Sequence, residues 1–260
     1  CKHCSVYELK NPHNMTYEQV REHLQYSYDQ GSRFVDFEGG EVTIWKDGDK
    51  RINDLIDLAK EIGFFSCTIT TNAQLPFAGC KADSIWVSLD GVGQYHEEVR
   101  GKGTFAKLEK NIASCGHKHL SVNMVVNTLN HTAVEDTIEY AKNNPAIEQI
   151  SINFHTPFEG TEDLALNMDR RREIIDIVLE YKKKGYPIMN SKSGLKLMKT
   201  NDFKKRCWVT NFIYPDGSRG LCIGNGTETC DKCGFCMAGE MASVFSFKPD
   251  TILAGLKLRA

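Results

Sequence analysis

The chain has 260 residues, with a formal net charge of −2, 25% charged residues and 41% hydrophobic residues. This is an ordinary globular balance, with enough chain for one barrel-sized domain plus an appendage, and it provides no basic field for nucleic acid. No apolar run approaches the ~20 residues that span a bilayer and no signal peptide is visible, so we expect neither nucleic acid nor a membrane as a partner.

Short apolar runs alternate with amphipathic helical patterns along the first two thirds of the chain. Because a parallel sheet is covered on both faces, its strands are expected to be nearly continuous apolar runs. Strands are predicted over residues 34–37, 67–71, 85–89, 120–126 and 147–154. Helices are predicted over residues 16–30, 51–62, 105–114, 133–143 and 168–184.

This alternation predicts an α/β fold with a right-handed βαβ series and a parallel sheet. We favour a partial (β/α)6 barrel over a flavodoxin-like open sheet because polar residues collect just after the strands, where barrel active sites form. The alternation ends near Ser191, where cysteines become frequent. We therefore expect a barrel domain over residues 1–190 and a small second domain over residues 191–260.

The ten cysteines are many for this length, and seven of them fall in two local groups. Secreted disulfide scaffolds are mostly short and lack a βα repeat, so the grouping indicates metal ligands and a reducing cytoplasm. The remaining three are predicted to be buried free thiols: Cys67, Cys80 and Cys115.

The first group is the Cys1-Lys2-His3-Cys4 loop, whose two thiolates suit an iron–sulfur cluster or zinc. With the Gly39-Gly40-Glu41 turn after the first predicted strand, it resembles the radical S-adenosylmethionine (SAM) enzymes. Their signature is C-x-x-x-C-x-x-C with an aromatic-type residue before the last cysteine, a position that His3 occupies. The first cysteine of the signature would precede Cys1, so we expect a fragment cut inside its motif, with the first barrel strand missing. Such a fragment is expected not to cleave SAM.

The resemblance implies a set of SAM-binding residues at the ends of the strands. Residues 39–41 would contact the amino group of SAM, although alone they could form an ordinary Gly-Gly turn. Ser88 and Asp90 belong to an S-L-D-G…H…R-G…F stretch similar to one common in the family, in which we interpret His96 and Arg100 as structural.

Three further candidates lie on the last two predicted strands. Asn123 is the one polar side chain in an otherwise apolar run, and the family often has an asparagine that reaches SAM there. Asn153 and His155 end the last strand, where the family places the adenine, although His155 could equally be a hydrogen-bonded loop histidine. Thr71-Asn72 resembles a T-N-G turn of the family, with Ala73 in place of glycine.

The second cysteine group begins with Cys207, nine residues, Gly217, four residues and Cys222, which resembles the opening of SPASM and twitch auxiliary-cluster domains. The turn residues at 215–217 predict a hairpin that runs out from Trp208 and brings Cys222 back towards Cys207. Three more thiols follow: Cys230, Cys233 and Cys236.

Five thiols suffice for one four-cysteine [4Fe–4S] cluster with one to spare, or for zinc. The spacing of these cysteines departs from that of a full SPASM domain. A twitch-like domain with one auxiliary cluster is therefore the closer description. Residues 250–259 are predicted to form an amphipathic helix that packs on this domain.

The resemblance implies a radical SAM oxidoreductase or transferase that reductively cleaves SAM and abstracts hydrogen through a 5′-deoxyadenosyl radical. An electron donor such as a flavodoxin or ferredoxin is then expected. The substrate would be a peptide or small metabolite, and nothing in the sequence selects between them. The alternative is a non-catalytic α/β binding module stabilised by zinc or by a cluster.

Overall fold

The computed structural model describes residues 1–4, 14–222, 224 and 226–257. Its strands are β1 Phe34–Phe37, β2 Ser66–Thr71, β3 Ser84–Ser88, β4 Leu120–Val126, β5 Gln149–Phe154, β6 Phe212–Ile213 and β7 Arg219–Gly220. Its first helices are α1 Tyr17–Asp29, α2 Ile52–Ile62, α3 Gln94–Arg100, α4 Thr104–Cys115 and α5 Val134–Asn143. The later ones are α6 Met168–Lys183, α7 Lys192–Thr200, α8 Cys236–Val244 and α9 Pro249–Lys257.

Strands β1 to β5 form one parallel sheet in sequential order. Since βαβ crossovers are right-handed, sequential order places every connecting helix on the same side of the sheet, as in a barrel. A flavodoxin-like sheet reverses its order and carries helices on both faces. After α6, Ile188 adds a parallel bridge to Ile150 in β5, which continues the series. The prediction of a partial barrel is confirmed.

The two faces of the sheet differ in polarity. One face is a buried apolar layer that packs on the helices, with Ile69, Val87 and Ile152 fully buried. The strand registers put a mostly polar row on the other face: Asp36, Thr68, Thr70, Ser84, Ser88, Ser121, Asn123, Ser151 and Asn153. The expectation of nearly continuous apolar strands was therefore wrong. Helices cover one face only, so the strands alternate as half-buried strands do.

The helices begin and end largely where local signals indicated. Thr16 caps α1 through a capping box with Gln19, and α2 ends at Gly63, whose φ of +114° suits glycine. Helices α3, α7 and α8 were not predicted. They have only seven or nine residues, too few for a helical period to stand out.

The C-terminal segment contains the predicted hairpin in a shorter form. Strands β6 and β7 pair antiparallel around the predicted turn, while Cys207–Val209 form a 3-10 turn in place of the expected strand from Trp208. The tail helix is present as α9, and the rest of the tail lies outside the described residues. Within the described residues, no helix is both long enough and apolar enough to cross a membrane.

Candidate active site

The Cys1–Cys4 loop lies at the carboxyl-end rim of the sheet, beside the segment that follows β3. The Cys4 amide donates to the Cys1 carbonyl at 3.2 Å, which makes a tight turn. The Lys2 amide donates to the Val99 carbonyl on α3 at 2.9 Å, and this bond holds the turn against α3. Both motif thiols therefore stand on one small, anchored loop.

Asp90 is the fully buried centre of the contacts beneath this loop. One carboxylate oxygen accepts from Arg100 Nε at 2.6 Å, and the other accepts from the Val125 amide at 2.9 Å. Burial alone would raise the pKa of Asp90, but Arg100, then His3 and the Val125 amide, outweigh it and hold this pKa below its ordinary value. The predicted contact between Asp90 and SAM stays a prediction, and the structure shows this carboxylate already engaged with protein groups.

His3 and Arg100 connect this carboxylate to the cysteine loop. His3 Nε2 lies 3.8 Å from Asp90, and Arg100 Nη1 lies 3.9 Å from Cys1 Sγ. Burial lowers the pKa of His3 to about 4, so its ring is neutral at pH 7. Its Nδ1 is buried without a hydrogen-bond partner, which leaves one polar atom of the loop available to a ligand. Arg100, which the sequence suggests is structural, pairs with Asp90 and also contacts a motif thiol.

Glu41 holds the ends of β1 and β2 together. Its Oε1 accepts from the hydroxyls of Thr71 at 2.6 Å and Thr43 at 2.7 Å, and its Oε2 accepts from the Asn72 amide at 2.8 Å. Gly39 has φ +150° and, like Gly40, has open space around it, so the Gly-Gly turn is free for close approach. The Glu41 turn and the cysteine loop thus share one rim of a parallel sheet, as predicted.

A chain of amides crosses the polar face from β4 towards the C-terminal segment. Ser88 is in register with Asn123, and Asn153 Nδ2 donates to Asn123 Oδ1 at 2.6 Å. Asn153 Oδ1 in turn accepts from the Cys236 amide at 2.7 Å. The predicted polar residues are therefore brought together, although their contact with SAM stays a prediction.

His155 is buried behind the rim. Its Nε2 is 3.0 Å from both the carbonyl and the hydroxyl oxygen of Thr161, and its ring centroid is 6.4 Å from that of His3. This geometry matches the alternative that the sequence offered for His155, a hydrogen-bonded loop histidine. Its adenine contact remains untested.

Asp36 and Glu38 were not selected from the sequence. Asp36 faces the polar side of the sheet and accepts from the Thr70 hydroxyl at 3.2 Å. Desolvation by the surrounding protein is the main cause that raises the pKa of Asp36, to about 8, and the negative charge of Glu38 adds to the shift. Both side chains nevertheless remain in contact with solvent. The signal was the D-x-E spacing, because alternate residues of a strand point to the same face.

The five C-terminal thiols lie in one region of the protein, because each of them influences or is influenced by another thiol electrostatically. The hairpin places Cys222 near Cys207; burial first, and then Cys222 and Cys230, raise the pKa of Cys207. Cys233 is near Cys222, and Cys236 lies beside Cys233. Across the part of the chain that the structure describes, no three His, Cys, Asp or Glu side chains are already spaced to hold a metal ion.

The groups around these thiols nevertheless fit an anionic centre. A solvent-open cavity of about 380 Å³ has Cys207 and Cys230 in its wall, together with one cation, Lys205, and one carboxylate, Asp231. A cavity between thiols and beside a cation is the environment that a thiolate-held cluster needs.

The loop that carries the last three thiols is docked on the carboxyl end of β5. The Phe154 amide donates to the Gly234 carbonyl at 2.9 Å, and the Gly234 amide donates to Thr156 Oγ1 at 2.9 Å. A Cβ atom on Gly234 would lie 2.0 Å from the Phe154 carbonyl oxygen, so only glycine fits. The end of the second cysteine group, Cys233 to Cys236, therefore lies at the same rim as the first group.

Comparisons with known proteins agree with this geometry. The family model of the radical SAM superfamily matches residues 1–141. SuiB from Streptococcus suis bound to S-adenosylmethionine has a similar fold, with 19% identity and a TM-score of 0.62 over 82% of this chain and 55% of SuiB. The anSMEcpe structure with bound AdoMet and Cp18Cys peptide has 15% identity and a TM-score of 0.63, over 96% of this chain and 77% of anSMEcpe. No curated protein matches the sequence significantly. The chain spans just over half the length of SuiB.

Proposed function

Because the chain belongs to the radical SAM superfamily, we propose that it abstracts hydrogen from a peptide or small metabolite and carries one auxiliary [4Fe–4S] cluster. The superfamily uses a [4Fe–4S] cluster and SAM, and its chemistry is SAM-dependent radical chemistry. The observation that carries the proposal is the shared rim: the Glu41 turn lies at the carboxyl end of β1, and the Cys1–Cys4 loop lies beside the segment that follows β3 in the same parallel sheet.

Cys1 and Cys4 would be cysteine ligands of the first cluster. When bound, this cluster and SAM supply a 5′-deoxyadenosyl radical. The residues of the chain would bind the cluster and SAM and orient them. Glu41 braces the Gly-Gly turn against β2, while Asp90 fixes Arg100 beside the Cys1 thiol. Such rigid positioning is the main contribution a protein makes to cofactor chemistry.

The auxiliary cluster would use four of the five C-terminal thiols. Cys222 is near both Cys207 and Cys233, and Cys230 is near Cys207, which favours these four as ligands. Cys236 is the most buried of the five thiols, at 1% exposed. We therefore propose Cys236 as the fifth, non-ligating thiol.

Our proposals for the reaction class, the electron donor and the substrate rest on the same site. We propose oxidoreductase or transferase chemistry with an electron delivered by a flavodoxin or ferredoxin. The polar face of the sheet, with Asp36 and Glu38 at its rim, supports a polar substrate. Because the chain covers little more than half of SuiB, the substrate and partners of the whole protein are part of this proposal.

The test is anaerobic reconstitution of a polypeptide that carries the whole three-cysteine motif. We expect iron and labile sulfide near ~8 each per chain, as two four-iron clusters require, together with 5′-deoxyadenosine after reduction with SAM. Two zinc ions, no sulfide and no 5′-deoxyadenosine would instead favour a zinc-stabilised binding module.

Two variants separate the clusters. Cys4→Ala should abolish 5′-deoxyadenosine and keep about four irons, whereas Cys222→Ala should lose the auxiliary iron. Cys236→Ala is the matched control, because a non-ligating thiol can be removed with iron content unchanged. Loss of about four irons in Cys236→Ala would refute our assignment of the ligands.

A further inference from the structure

Helix α6 places one arginine inside the protein, next to the C-terminal cysteines. Arg171 is 3% exposed, and its Nη1 donates to the Cys233 carbonyl at 2.8 Å. Its guanidinium carbon lies 4.9 Å from the centroid of the Phe154 ring. The side chain therefore sits between the end of β5 and the docked cysteine loop.

Arg171 lacks a counter-charge among the described residues. Its Nε and Nη2 are buried without hydrogen-bond partners, and no carboxylate of the described chain forms an ion pair with it. The neighbouring arginines are different: Arg170 pairs with Glu173, and Arg172 pairs with Asp169. A buried cation left unpaired is strongly unfavourable, so these two donors point to an anion.

The ionisable groups beside the guanidinium are the Cys236 and Cys233 thiols. Neutral thiols offer the cation little, whereas a metal-bound thiolate and the sulfides of a cluster are anionic acceptors. Cys233 is one of the four proposed ligands, and its own carbonyl is already held by Arg171.

We propose that Arg171 is a positioning residue that supplies the counter-charge of the auxiliary iron–sulfur cluster and raises its reduction potential. This inference rests on the auxiliary cluster of the proposed function. A buried positive charge stabilises the reduced, more negative form of a cluster, and hydrogen bonds to its sulfurs act in the same direction.

The test uses the chain with Cys1→Ala and Cys4→Ala, so that any iron belongs to the auxiliary site. In this background, Arg171→Gln, Arg171→Lys and Arg172→Gln are reconstituted anaerobically. Iron and sulfide content are measured, and the midpoint potential is determined by a redox titration followed by electron paramagnetic resonance. Arg172→Gln is the matched control because its side chain lies on the exposed side of the same helix.

For Arg171→Gln, we expect the ratio of reduced to oxidised cluster at a fixed potential to fall about tenfold, a midpoint lower by about 59 mV. Arg171→Lys keeps the charge and should stay within about twofold of the background ratio, as should Arg172→Gln. If Arg171→Gln does not load, loading and a near-normal midpoint in Arg171→Lys still support the role of charge.

Two results would overturn the inference, and they differ from a failure of the proposed function. Equal midpoints in loaded Arg171→Gln and Arg172→Gln, or identical defects in Arg171→Lys and Arg171→Gln, would show that the charge is irrelevant. A background chain that takes up no iron would refute the auxiliary cluster itself, and this inference with it.

Discussion

Arg100 links two parts of the site that are far apart in the sequence. Its guanidinium pairs with the buried Asp90 carboxylate and reaches towards the Cys1 thiol. The side chain of Asp90 is fully buried and that of Arg100 is 11% exposed, so water cannot replace this pair. At the scale of single residues, this pair helps to hold the cysteine loop in place, together with the bond from the Lys2 amide to Val99.

Arg100→Met should therefore lower the free energy of unfolding by about 3 kcal/mol, because it leaves Asp90 buried without its cation. Urea denaturation of the cluster-free chain measures this loss. Lys199→Met is the control, because it removes a pair with the exposed Asp176 and should cost less than about 1 kcal/mol. Equal losses in the two variants would show that the buried Asp90 pair contributes no more to stability than an exposed pair.

At the scale of elements, α7 and α8 pack closely through two glycines. A Cβ atom on Gly239 would lie 2.6 Å from the Gly194 carbonyl oxygen, and one on Gly194 would lie 2.5 Å from Glu240 Oε1. Glu240 accepts from the Ser191 amide at 2.9 Å, at the start of α7. The close contact thus buries a carboxylate at a helix N-terminus.

Burial raises the pKa of Glu240 to about 7; hydrogen bonds from Ser191 and the charge of Lys182 lower it, and Asp250 raises it. The folded state therefore binds an extra proton between pH ~4.5 and ~7, so this group contributes stability at low pH that is lost as pH rises through that window.

Glu240→Gln should remove this dependence and stabilise the chain at pH 8 by up to about 3 kcal/mol. The measurement is the difference in unfolding free energy between the variant and the natural chain from pH 5.5 to 8.5, which cancels other titrating groups. A flat difference across this range would contradict the prediction.

At the scale of the whole molecule, the C-terminal segment contacts both helix α1 and strand β5. Asn211 Nδ2 donates to Ser27 Oγ on α1 at 2.8 Å, and the Arg219 guanidinium lies 3.6 Å from the centroid of the Tyr26 ring. The other end of the segment is docked on Phe154 through Gly234. The segment therefore spans from α1 to β5, which brings the two cysteine groups to one rim.

Gly234→Ala should separate the cysteine loop from β5, because its Cβ would overlap the Phe154 carbonyl oxygen. We expect a loss of about 2 kcal/mol or more in unfolding free energy and faster hydrogen exchange of the Phe154 amide. Gly255→Ala is the control: it has open space in α9 and should be neutral or stabilise by up to about 1 kcal/mol. An unchanged Phe154 exchange rate in Gly234→Ala would contradict the proposed docking.

Much of the fold could be predicted because burial leaves a local periodic pattern. The five predicted strands match β1 to β5 within two residues at each end, and the helix at residues 16–30 carries the cap that Thr16 and Gln19 indicated. The cysteine loop and the Gly-Gly-Glu turn were likewise recognisable, since each is a short run of residues that are adjacent in the chain.

The sequence alone thus determined the order of the five sheet strands and of the longer helices, the barrel class and the two cysteine groups. Only the tertiary structure decided that one face of the sheet is polar, that Asn153 holds the Cys236 amide, and that Arg171 is buried without a counter-charge. The physical reason is distance along the chain. Periodicity reports whether a residue is buried, but the partner that satisfies a buried polar group comes from another element, and packing alone selects it.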